Sequence, residues 1–180
     1  NTPPENIEYF LAGDLLNQII SAGFSALKLE IPFLGIYGAC STAVEGLILA
    51  SVMIDGGFCN LAMAATSSHN SSAERQYRYP TEYGNQRKPF SQWTVTGAGA
   101  AVVSVTGMGP VITHATVGKV TDLACKDPLN LGAAMAPAAA DTIIRHFADT
   151  GRNPTDYDLI LTGDLGKVGQ ELAIQWTAES

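Results

Sequence analysis

The sequence predicts an α/β fold in which helices cover both faces of mixed sheets. Short apolar runs of strand length alternate with stretches of helical period. Those runs are apolar throughout rather than alternating in and out, as in strands covered on both sides. At residues 33–42 one such run, Phe33-Leu34-Gly35-Ile36-Tyr37, passes through Gly38-Ala39-Cys40 straight into a helical pattern, the strand–turn–helix unit of layered α/β folds.

Taken in order, Ile7, Phe10, Leu11, Leu15, Ile19 and Ile20 recur at helical spacing and predict a first helix over 7–22, stopped by Gly23. Residues 33–37 predict a buried strand. Ser41 or Thr42 caps a helix running to about Asp55, apolar or small nearly all round and so expected to be buried on most sides. Gly56-Gly57 breaks the chain before a strand over 60–65. Residues 66–93 are polar and without period, a loop long enough to be functional. Strands follow over 95–105 and 111–116. Pro137 suits the first turn of a helix over 138–150 closed by Gly151, and a last strand over 159–162 leads through Gly163-Asp164-Leu165-Gly166 into a short helix.

Composition excludes several classes. Of 180 residues, 46% are apolar and 15% charged, which does not describe a disordered chain. No run reaches the roughly 18 apolar residues of a membrane helix. A net charge of −7 argues against nucleic acid as a partner. Three cysteines without a C-x-x-C pair suit neither a disulfide framework nor a zinc knuckle, and fit an intracellular setting. No metal site is expected. The first residues, Asn1-Thr2-Pro3-Pro4, carry neither an initiator Met nor a basic leader, and the chain reads as the interior of a longer protein.

Cys40 is the most informative residue. At the start of a buried helix a thiol meets the positive end of the helix dipole, and the same free N–H groups suit a carboxylate ligand. Glu45, five residues on, is either a stabiliser of the helix start or a pocket wall; Asp14 is a lone acid in an apolar setting. His69 lies on a segment able to approach Cys40, whereas His114 reads as structural and His146, next to Arg145, as solvent-facing. The run Thr96-Gly97-Ala98-Gly99-Ala100 lacks the third glycine and the G-K-S/T of a phosphate loop, and no G-x-S-x-G elbow is present.

The string Gly38-Ala39-Cys40-Ser41-Thr42-Ala43-Val44-Glu45-Gly46 resembles the nucleophile elbow of the thiolase superfamily, which includes the ketoacyl-carrier-protein synthases. Residues 96–103 resemble the G-A-G-A strand that closes the first half of those enzymes, and residues 153–163 the segment before their catalytic histidine. A closer resemblance, to the stage V sporulation protein AD family, is carried by residues 12–18 (A-G-D-L-L-N-Q), 37–42 (Y-G-A-C-S-T), 67–70 (S-S-H-N), 78–84 (R-Y-P-T-E-Y-G), 92–102 and 127–143. It covers nearly the whole chain.

These resemblances imply a thiolase-like fold of two pseudo-equivalent halves, usually dimeric. Residues 1–107 would be the remainder of the first half, with the Cys elbow and the long loop, and residues 108–180 part of the second. They imply binding of dipicolinic acid, alone or as its calcium complex, with no cofactor. They also imply a role in its uptake into the developing spore beside membrane proteins of the same system, with the protein peripheral to the spore inner membrane. Where a condensing enzyme places its histidine this chain has Gly163-Asp164, and an aspartate there opposes a developing oxyanion. The expected ligand residues are Cys40, His69, Asn70, Glu45, Asp14 and Arg75, with no catalytic residue. The rival readings are an acyl-transfer enzyme with Cys40 as nucleophile, and a structural partner docking through Tyr77, Tyr79 and Tyr83.

Overall fold

The computed structural model describes residues 2–16, 19–69, 74 and 88–179. The chain divides into two compact units. One is Asn1–Arg75 with Val95–Ile112, the other Gln76–Thr94 with Thr113–Ser180.

The first unit is built on a four-stranded sheet in the order β2-β1-β3-β4. Its strands are β1 (Tyr9–Asp14), β2 (Phe33–Gly35), β3 (Leu61–Ser68) and β4 (Gly97–Ser104). β1 runs parallel to β2 and β3, and β4 pairs antiparallel with β3 from Leu61↔Ser104 to Ser68↔Gly97. Two helices cover the two faces. α1 (Ile20–Leu29) packs over Phe10, Ala12, Met63 and Ala65, and α2 (Thr42–Asp55) over Leu11 and Ala62. Successive residues of a strand point to opposite faces, so Phe10 and Leu11 serve two cores.

This explains the expectation that fails at the start. Residues 7–22 are not one helix: β1 occupies 9–14 and α1 begins at Ile20. A strand buried on both faces presents consecutive apolar residues, and Phe10-Leu11-Ala12 with its neighbours mimics helical spacing. Gly23, expected as a stop, lies inside α1. α2 is found where expected, but in its own unit it buries only Thr42, Gly46 and Ala50, while Val44, Leu49 and Val52 are exposed. The buried three recur every four residues, and their small size lets α2 lie close on the sheet. A Cβ on Gly46 would stand 3.1 Å from that of Ala64.

The second unit rests on α3 (Leu131–Thr150) packed against α4 (Gly166–Ala178) around Ala136, Leu165 and Ala173. α3 starts seven residues earlier than expected. Asn130 caps it by accepting from the Ala133 N–H at 3.2 Å, and Pro137 lies buried within the helix. Gly151 ends it at φ +67°, a left-handed conformation that a side chain disfavours. The strands expected at 111–116 and 159–162 do not form. Val111, Leu159 and Leu161 are 81%, 69% and 81% exposed, and without a neighbouring strand their β-forming side chains have no ladder to join.

Candidate functional site

The elbow after β2 is a tight turn over Ala39–Ser41 that runs directly into α2. Ala39 holds φ +50°, and a non-glycine residue there costs about 1 kcal/mol that the surrounding packing must offset. The turn leaves Cys40 exposed at the helix start. Ser41, expected as a cap, instead turns its hydroxyl back onto the Gly38 carbonyl at 3.0 Å, so no side chain caps α2. Its first-turn N–H groups keep the partial positive charge of a helix N-terminus. The Glu45 carboxylate folds over the same turn, and a Cβ on Gly38 would overlap its Oε2. Thr42 is fully buried there with its Oγ1 unbonded.

Asp14 and His69 occupy a different place. Asp14 ends β1 and His69 follows β3, both at carboxyl ends of parallel strands, as the elbow follows β2, so the four described residues of the predicted six share one end of the sheet, where α/β folds place ligands. They lie on opposite faces, however. Asp14 is 1% exposed and points to the α1 side. It accepts from the Ser21 N–H at 2.7 Å, the Ala22 N–H at 3.2 Å and the Ser67 hydroxyl at 2.7 Å. His69 Nε2 is hydrogen-bonded to the Ser21 hydroxyl on the same side. These groups close the polar end of a cavity of about 690 Å³ whose other walls include Ala12, Met63, Ala65 and Ala100. The N-terminus of α1 is thus already satisfied by a buried carboxylate, while no side chain caps α2, whose Ser41 and Thr42 N–H groups go to the Gly38 and Ala39 carbonyls of the preceding turn. Among the described residues no hydrogen bond joins Cys40 to His69.

The structure therefore pairs Cys40 with Glu45 and Asp14 with His69, and does not assemble the four. Asn70 and Arg75 lie outside the described residues, as do Tyr77, Tyr79 and Tyr83. Sequence reasoning missed Ser21 and Glu74. Glu74 is fully buried and accepts from Ser68 and Thr96, both at 2.7 Å. Nothing local marks Ser21, because its partners Asp14 and His69 are brought to it only by the sheet. Among the described residues no cluster of three His, Cys, Asp or Glu side chains suits a metal ion, and no helix is long and apolar enough to cross a membrane.

The position expected to replace a catalytic histidine is committed to structure. Asp164 accepts from the Trp93 N–H at 2.6 Å and the Gly166 N–H at 2.9 Å, tying the start of α4 to residues 92–93. His146 corrects an expectation. It faces inward, bonded at both ring nitrogens, while its neighbour Arg145 is exposed and pairs with Asp149.

The three cysteines differ in reactivity. Cys40 and Cys125 are exposed, and Cys59 is buried. Burial pushes the Cys59 thiol up, with the Glu8 carboxylate adding to it and the Leu61 backbone opposing. Iodoacetamide at pH 8 should modify Cys40 and Cys125 first and reach Cys59 only on unfolding, as read by peptide mass mapping. The folded chain keeps the Cys59 proton at pH values where the unfolded chain releases it. Stability from this group is therefore present at neutral pH and declines as pH rises through and beyond the ordinary thiol range.

The family model of Stage V sporulation protein AD matches residues 1–180. The chain belongs to that family. It is 56% identical over 172 residues to Stage V sporulation protein AD of Bacillus subtilis (strain 168), covering 96% of this chain and 51% of the relative, so the chain spans about half of that protein's length. The fold is thiolase-like. Over 98% of the chain it superposes on the tetronic acid condensing enzyme AbyA1 (TM-score 0.67, 16% identity, 62% of that chain). It matches 3-oxoacyl-[acyl-carrier-protein] synthase III of Aquifex aeolicus VF5 equally broadly (TM-score 0.66, 19% identity, 58% of that chain). A variant of Xanthomonas campestris OleA bound with cerulenin superposes over 99% of this chain and 57% of its own (TM-score 0.68, 14% identity). At such identities these structures establish the fold alone.

Proposed function

We propose that this sporulation-family chain contributes a non-catalytic binding site for dipicolinic acid, free or with calcium, at the start of α2. The observation that carries the reading is the uncapped N-terminus of a 14-residue helix beneath an exposed Cys40. A flat dianion needs N–H donors and a favourable dipole; α2 has the dipole, and N–H donors beyond Ser41 and Thr42, which donate to the Gly38 and Ala39 carbonyls. The α1 terminus lacks them, because Asp14 already holds its N–H groups.

The candidates for a base beside Cys40 are engaged elsewhere. His69 bonds to Ser21, His146 to Thr116 and Tyr157, and Asp164 to main-chain N–H groups. A thiolase-type reaction needs those groups as a unit, and losing one member costs orders of magnitude in rate. The wider proposal places the protein, as a homodimer, peripheral to the spore inner membrane beside membrane partners that take up dipicolinate. The edge strand β2 and the residues after it, with Leu34 46% and Tyr37 61% exposed, offer a surface for such contacts.

Calorimetry on the intact protein tests the site. Dipicolinate should bind saturably, and Cys40→Ala should weaken it about three- to tenfold while acetyl-CoA gives no heat. A Cys40 thioester formed from acetyl-CoA, with no dipicolinate response, would instead favour acyl transfer. That second reading rests on the exposure of Cys40 at an elbow of the condensing-enzyme type.

A further inference from the structure

The sheet face beneath α1 is only partly covered. Three rows of side chains cross it: Phe10, Met63 and Val102, then Ala12, Ala65 and Ala100, then Asp14, Ser67 and Ala98. α1 packs on Phe10, Ala12, Met63 and Ala65 and leaves the β4 members of the rows exposed. The cavity of about 690 Å³ that Asp14 and His69 close at one end is the trough so left, and every residue lining it belongs to the first unit. Its volume falls in the range of small-molecule pockets, about 300–1,000 Å³. The middle row is alanine on all three strands, which keeps the floor flat. Ser21, Ser25 and Lys28 form one wall, at the spacing of a single helix face.

The two ends of the trough differ in charge. At one, Asp14 accepts from three donors, so negative charge lies beside Ser21 and His69. At the other, about 10 Å further along α1, stands Lys28, exposed and paired with no carboxylate among the described residues. The Ser21 hydroxyl and His69 Nε2 share one hydrogen bond. If the hydroxyl donates it, the oxygen lone pairs remain open; if the ring nitrogen donates it, the hydroxyl proton does. A ligand hydroxyl both donates and accepts, so it completes either arrangement.

We propose that this trough is a small-molecule site separate from the one at α2, taking an elongated monocarboxylate with a flat apolar body and a hydroxyl at its far end. The carboxylate meets Lys28, the body lies on the alanine row and Met63, and the hydroxyl meets Ser21. A second carboxylate would face Asp14 and be repelled, which selects against dianions. Dipicolinate, with both carboxylates on one ring, is therefore a ligand of the other site alone.

Ligand-detected NMR titration of the intact protein with para-hydroxycinnamate and cinnamate tests this. Both should bind saturably, the hydroxylated acid about fivefold more tightly, as one added hydrogen bond allows. Ser21→Ala should erase that preference. Lys28→Gln should weaken both acids about threefold, as loss of an exposed charge pair does. Ala100→Phe fills the trough from an exposed position that the fold tolerates, and should weaken both at least tenfold. Excess dipicolinate should leave the titrations unchanged. Absence of saturable binding, undiminished affinity in Ala100→Phe, a hydroxyl preference that survives Ser21→Ala, or displacement by dipicolinate would each overturn the proposal.

Discussion

Gly132→Ala should destabilise the protein by about 3 kcal/mol or more, at the upper end of what overpacking costs. A Cβ on Gly132 would overlap the Leu165 carbonyl oxygen and stand 2.6 Å from its carbon, both rigid backbone atoms. The reciprocal contact is as tight: a Cβ on Gly169 would be 2.5 Å from the Gly132 carbon. α3 and α4 therefore meet backbone to backbone at this pair, and a methyl on either glycine must separate them. The loss would spread to the cluster of Ala136, Leu165 and Ala173, which exists only while the helices stay close. Helix propensity alone predicts the reverse sign, since alanine normally outranks glycine by about 1 kcal/mol in a helix. Gly23→Ala supplies the contrast. Nothing lies within 4 Å of the added methyl in α1, and that variant should gain about 0.5–1 kcal/mol. Urea unfolding of the intact protein, with all three chains compared on midpoint and slope, checks both signs. Equal midpoints for wild type and Gly132→Ala would mean that the two helices do not pack this way.

Asp14→Ala should cost about 2–4 kcal/mol, from the loss of a helix cap together with buried donors left unsatisfied. Its carboxylate is the only side chain capping α1 among the described residues, holding two N–H groups of the first turn and the Ser67 hydroxyl. Without it the Ala22 N–H is stranded in the core beside Phe10 and Ala12. Ser21 would also lose the anchor that sets its hydroxyl against His69. Asp14→Asn keeps one acceptor and should lose less, about half as much on the same reasoning. If the proposed site at the start of α2 binds dipicolinate, affinity per folded molecule should not change in either variant, because Asp14 lies on the α1 face of the sheet. A large affinity loss in the stably folded Asp14→Asn protein would move the binding site to the α1 side.

The division between the two faces is not legible in the sequence. Cys40, Glu45, Asp14 and His69 each stand out for sound local reasons: a thiol at a helix start, acids in apolar settings, a histidine after a strand. Whether they converge depends on strand parity. Asp14 falls an even number of residues from Phe10 and Ala12, so it shares their face, while the elbow feeds α2 on the other. Parity can be counted only once β1 is known to be a strand, and the consecutive apolar residues of β1 conceal that. The inward turn of His146 is hidden for the same kind of reason. Its partners Thr116 and Tyr157 are 30 and 11 residues away, and no periodicity within α3 announces them.

What the sequence determined by itself is the part encoded in neighbouring residues. The α/β class, the strand–turn–helix unit at Cys40, the span of α2, the glycine stop at 151 and the family likeness all follow from local strings and spacing. What only the tertiary structure decided is the part that depends on distant segments meeting. Strand parity put Asp14 and His69 on the α1 face while the elbow feeds α2 on the other, and the strands expected at 111–116 and 159–162 found no ladder to join. A helix turn closes its hydrogen bonds within four residues, so its signal is local. A strand and a buried polar group are satisfied only by what the rest of the fold brings beside them.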